Sequence, residues 1–69
     1  MQAKIIEIKD DEIYLEVDEQ LRFHSHFVVS HDLQPLHVLD RVSFSFVPSG
    51  TIPCVKIQSV QPQQHGRRL

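Results

Sequence analysis

The chain has 69 residues and a formal net charge of −2. That length makes one small domain at most, burying only about 60% of the surface its unfolded form exposes. A single cysteine, Cys54, excludes an internal disulfide and points to a cytoplasmic compartment. No apolar run is long enough for a signal peptide or a membrane span, so no membrane partner is expected.

The dominant period along the chain is two. "KIIEIK" offers Ile6 and Ile8 to one face and turns Ile5, Glu7 and Lys9 to the other. "EIYLEV" places Ile13, Leu15 and Val17 inside, with Glu12, Tyr14 and Glu16 outside. The tight "KDDE" between them predicts a hairpin. "LRFHSHFVV" then sends Leu21, Phe23, Ser25 and Phe27 one way and Arg22, His24 and His26 the other. "SHDLQPLHVLD" is the longest connection. Pro35 blocks a strand there, a single helical turn fits, and Leu33, Leu36 and Leu39 are placed to plug a barrel end. "RVSFSFV" alternates again, with Val42, Phe44 and Phe46 in and Ser43 and Ser45 out. After a "PSGT" turn, "IPCVKIQSV" supplies a last strand with Val55 and Ile57.

The strands are therefore predicted near 2–9, 12–18, 20–29, 41–48 and 53–60, with no long helix and no repeat. Ile6, Ile8, Ile13, Leu15, Phe23, Val42, Phe44, Val55 and Ile57 form the inward set. Five short strands must close, or nearly close, to protect their edges. A three-strand meander, a longer crossing and a hairpin fit an all-β, small five-stranded antiparallel barrel of the oligonucleotide-binding type, with an SH3-like barrel as the rival. Residues 1–60 form this domain, and 61–69 a flexible C-terminal tail.

Charge is unevenly distributed. Residues 7 to 19 carry seven carboxylates against Lys9 alone, a balance of −6. The remainder carries six basic residues against Asp32 and Asp40, a balance of +4.

Over residues 3 to 60 the chain resembles the cold-shock domain family. The third strand of that family carries a motif close to V-F-V-H-F or F-F-H-x-S, and here it reads "FHSHF". One alignment puts His26 and Phe27 on the family's His-Phe, the other Phe23 and His24 on its Phe-His. Both turn Arg22, His24 and His26 outward. "LDRVSFSF…SGTIPCVKI" is similar to the family's L-x-E-G-x-x-V-x-F…G-x-x-P-x-A-x-x-V. On the second strand "DEIYL" stands where the family has G-F-G-F-I, so Tyr14 keeps an aromatic and Glu12 takes the other stacking position. On the first strand Ile5 falls about where the family has tryptophan. The loop before the second strand, basic in the family, is acidic here. The resemblance implies a cold-shock-like barrel that binds single-stranded RNA or DNA.

Such binding needs flat rings on which bases stack and cations that follow the phosphates. The candidate nucleic-acid-binding residues are Tyr14, Arg22, His24, His26 and Lys56, with Arg41 nearby. Glu12 and Glu16 on the same face oppose phosphate, so the expected binding is weak. The alternative is a protein-interaction module whose acidic first hairpin meets a basic protein partner. A metal is the third reading of His24 and His26, with His31, Asp32, His37 and Cys54 as the available further ligands. No C-x-x-C or H-x-x-x-H accompanies the pair, and neither a metal nor another cofactor is expected. Catalysis is not expected either. Cys54 has no histidine beside it in a catalytic pattern, and Asp10 and Asp11 read as turn formers.

Overall fold

The computed structural model describes residues 1–33, 35–48 and 53–62. Five strands follow one another: β1 (Gln2–Ile8), β2 (Glu12–Asp18), β3 (Leu21–Val29), β4 (Arg41–Val47) and β5 (Cys54–Gln61). Each boundary lies within one residue of the alternation read from the sequence. The described residues contain no helix, and so none long and apolar enough to cross a membrane.

The strands close into a barrel in the order β1-β2-β3-β5-β4, with β4 returning to β1. This is the all-β, small barrel expected, and its order is compatible with the oligonucleotide-binding type. The expectation of antiparallel pairing throughout needs one correction: β3 and β5 run parallel. The cause is the connection after β3, which carries the chain across to β1. There β4 pairs antiparallel to β1, and β5, the return limb of the last hairpin, then runs in the same direction as β3. A parallel pair requires such a long crossover.

Alternation places the core. Ile13, Leu15, Val42, Phe44, Val55 and Ile57 are buried as expected, and Phe23 and Phe27 pack against them from β3. Ser25, also inward, is buried and donates its hydroxyl to the His26 carbonyl at 2.7 Å. That bond removes most of the cost of a hydroxyl among apolar neighbours.

On β1 the expected facing is wrong by one position. Ala3 and Ile5 are fully buried, whereas Ile6 is only half-buried. The ladder to β2 pairs Ile5 with Leu15 and then Glu7 with Tyr14, leaving Ile6 as the extra residue of a bulge. A bulge shifts the alternation by one residue. Ala3 and Ile5 face inward before it, and Ile8 packs on the core after it. Ile5 thus lies inside the barrel and not on its outer face.

The connection after β3 covers one end of the barrel. Leu33 and Leu36 pack on the core as plugs, but Leu39 is 42% exposed. Its φ of 79° is left-handed, which turns the side chain away. Turns stand at His31–Asp32 and Val38–Leu39, and no helical turn forms among the described residues. The Leu39 amide donates to the Ile5 carbonyl at 2.7 Å, and the Ile5 amide donates to that of Asp40 at 2.9 Å. These bonds lead the chain into β4 alongside β1. Most of the "PSGT" turn (residues 49–51) and tail residues 63–69 lie outside the described residues, and β5 runs one residue beyond the predicted end of the domain.

Candidate functional site

Outward side chains on neighbouring strands line up in rungs across the barrel wall. The first rung reads Arg41, Lys4, Glu16, Arg22 across β4, β1, β2 and β3. The second reads Glu7, Tyr14, His24 across β1, β2 and β3. The third reads Glu12, His26, Cys54 across β2, β3 and β5. Four of the five predicted residues, Tyr14, Arg22, His24 and His26, therefore share the outer face of β2 and β3. Lys56 does not join them. It lies on β5 beside Val28 and Ser45, one rung beyond His26 and on the far side from Arg22.

The second rung holds a ring stack. The Tyr14 and His24 rings lie 4.3 Å apart at an interplanar angle of 11°. His24 Nε2 stands 3.7 Å from a Glu7 carboxylate oxygen, although β2 separates their strands. To reach Glu7, the imidazole must extend across Tyr14. The His24 side chain is 57% exposed and Tyr14 half-buried, so the imidazole is the better exposed ring of the pair.

Arg22, Lys4 and Lys9 on this face are paired, and His26 also meets a carboxylate. Arg22 Nε lies 2.9 Å from one Glu16 carboxylate oxygen and Lys4 Nζ 3.5 Å from the other. Lys9 lies 3.9 Å from Glu7, and His26 Nδ1 3.5 Å from Asp11 in the β1–β2 turn. The same turn is tied to β3 by the backbone, because the Phe27 amide donates to the Asp11 carbonyl at 3.3 Å. The His26 amide donates to the Pro53 carbonyl at 3.1 Å, bringing the start of β5 to the same place. Asp11 and Pro53 thus both lie beside His26 and Phe27.

The face is polar in its charge. The first rung sets Lys4 and Arg22 on either side of one carboxylate, with Arg41 beyond Lys4. The end toward the β1–β2 turn gathers Glu7, Asp10, Asp11 and Glu12 around Lys9 and the two imidazoles. Glu12 has no cation within ion-pair distance among the described residues.

His24 and His26 share a face, as a chelating pair would, but each meets a different carboxylate. No group of three or more His, Cys, Asp or Glu side chains among the described residues is arranged to hold a metal ion. His37 instead joins the buried Asp40, whose carboxylate accepts its amide at 3.0 Å. The Cys54 thiol meets the Val55 carbonyl at 3.9 Å.

Alternation did not find Lys4 as a member of this face, nor Glu7 as the partner of His24. Lys4 precedes the bulge, which reverses its facing, whereas Glu7 has the outward facing expected and meets His24 only by reaching across β2. Phe46 was also misplaced. Its parity matches Val42 and Phe44, yet it is 55% exposed, next to last on β4. There it leans on Phe23 at 5.7 Å and meets Phe44 edge-on at 5.6 Å. Inward parity guarantees cover only where neighbouring strands continue, and β4 pairs with β1 only over Arg41, Val42 and Ser43, so Phe46 stands beyond the end of that seam.

Comparison with protein-family models, with curated proteins and with solved structures yields no match for this chain.

Proposed function

We propose that this protein binds single-stranded RNA or DNA, weakly, through the outer face of β2 and β3. The observation that carries the reading is the Tyr14–His24 stack with its exposed imidazole. The strand 2–3 face is the one on which barrels of this type take oligonucleotides. A base laid on His24 would continue the stack, with Arg22 and Lys4 on the phosphate side. The resemblance of the third strand to cold-shock domains and a cytoplasmic setting belong to the same proposal, which assigns no catalysis. Stacking contributes about 1–3 kcal/mol per base. Two stacked bases correspond to a Kd on the order of millimolar, and the carboxylates of the face keep it from tightening.

Titration with short single strands of DNA and RNA tests the proposal. Tyr14 is the only tyrosine and the chain has no tryptophan, so intrinsic fluorescence reports on this one site. Binding should perturb that emission and weaken with salt. His24→Ala should keep the fold and reduce the affinity. Binding that survives His24→Ala unchanged would remove this face from the proposal.

A second reading is favoured by one observation: Arg22, Lys4 and Lys9 already face carboxylates, and the β1–β2 hairpin exposes Asp10, Asp11 and Glu12. In that reading the acidic hairpin docks a basic protein segment. Unchanged emission with every oligonucleotide, together with binding to an oligolysine peptide, would favour it.

A further inference from the structure

Glu12 is anomalous for a surface that meets a polyanion. It is an exposed carboxylate directly beside His26 and one outward position from Tyr14, without a cation among the described residues. Repulsion of phosphate is its only effect if it faces the strand's backbone. The rungs place it elsewhere. Along β2 the outward residues run Glu16, Tyr14, Glu12, a span of about 13 Å from first to last at the usual rise per residue. Lys4 and Arg22 flank Glu16 at one end, with Arg41 beyond Lys4, and the rings lie in the middle. A nucleotide with its phosphate on the cationic rung and its base on His24 therefore directs the outer edge of that base toward Glu12.

We propose that Glu12 reads this edge and that the base it selects is guanine. An ionised carboxylate only accepts hydrogen bonds, and it offers two parallel oxygens. Guanine presents two adjacent donors on its Watson–Crick edge, N1–H and the N2 amine, and matches both oxygens at once. Cytosine and adenine offer one donor beside a ring nitrogen that repels the second oxygen. Thymine and uracil offer one donor flanked by two carbonyls. Single-stranded bases are open to reading on this edge. Glu7 is less suited to the task because its oxygens already face His24 and Lys9. This inference rests on the proposed function, with a guanine in a single strand as the ligand.

Short oligo(dT) strands carrying one central guanine, inosine or thymine test it, followed by Tyr14 emission and by amide resonances. Inosine keeps N1–H and lacks the N2 amine. The guanine strand should bind about tenfold more tightly than the thymine strand, the usual reach of a bidentate base contact, with inosine between them. Glu12→Gln should bring the guanine strand close to the thymine strand, while Glu7→Gln should leave the preference for guanine in place. GMP should bind less tightly than the guanine strand, since the cationic rung spans several phosphates. GMP binding as tightly would replace the strand by a free nucleotide. Equal affinity for guanine and thymine strands would overturn the inference and leave the proposed function standing. A preference lost in Glu7→Gln and kept in Glu12→Gln would overturn the assignment to Glu12. Absence of binding by every strand would overturn both.

Discussion

Phe44 and Leu39 mark two extremes of what a single residue does for this barrel. Phe44 is the largest of the fully buried side chains and meets Phe23 and Phe46 from inside the wall. Phe44→Ala should cost about 3–5 kcal/mol. Domains have only about 5–15 kcal/mol of stability, and one this small lies low in that range. Urea denaturation should find the variant largely unfolded at room temperature; a midpoint near that of the parent would show that Phe44 is not central to the core. Leu39, by contrast, holds a left-handed backbone with its side chain exposed. That conformation costs a residue with a Cβ about 1–2 kcal/mol. Glycine adopts it freely but loses about 0.5–1 kcal/mol through greater entropy when unfolded. Leu39→Gly should therefore stabilise the protein by roughly 0.5–1 kcal/mol. A raised denaturation midpoint checks this, and a lowered one would mean that the Leu39 side chain contributes packing.

Among the elements, β1 shows how a local pattern and a ladder can disagree. Its isoleucines at 5, 6 and 8 are chemically alike, and alternation joined Ile6 with Ile8. The pairing with β2 instead puts Ile5 opposite Leu15 and Ile8 opposite Ile13, with Ile6 in the bulge. Truncation separates the two. Ile5→Ala should cost about 2–5 kcal/mol and Ile6→Ala about 1 kcal/mol or less, measured by the same denaturant titration. Equal losses would argue against the bulge. The bulge also matters for the site, because it turns Glu7 outward in the rung of Tyr14 and His24. On β3 no irregularity intervenes between Arg22 and His26, and the outward facing read from "LRFHSH" stands as observed.

For the whole molecule, closure of the barrel brings together charges that are distant in sequence. Arg41 enters beside Lys4 because β4 closes on β1, and Glu16 lies between Lys4 and Arg22 because β2 lies between their strands. The polarity of the face follows from that arrangement. Glu16→Gln should free Lys4 and Arg22 for phosphate without unfolding the barrel, since the amide keeps the size and shape of the half-buried carboxylate. Oligonucleotide affinity should rise, and its dependence on salt should steepen. The logarithmic slope should change by about 0.7 for each cation that newly reaches a phosphate of a single strand. An unchanged slope would mean that neither cation lies on the path of the strand.

The sequence by itself determined the strands, most of the core and the outward parity of Tyr14, Arg22, His24 and His26. It could do so because a strand alternates every second residue, and that period is written locally in "EIYLEV", "LRFHSH" and "RVSFSF". Only the tertiary structure decided the rest. The parallel seam between β3 and β5 depends on where β4 enters, and the bulge at Ile6 depends on its ladder with β2. The exposure of Phe46 depends on where the pairing of β4 with β1 ends. The partners of the candidate site are of the same kind: His24 meets Glu7 across a whole strand, and Glu16 holds cations from both sides. Such contacts are fixed by register and closure, which join residues far apart along the chain and leave no mark in any local period.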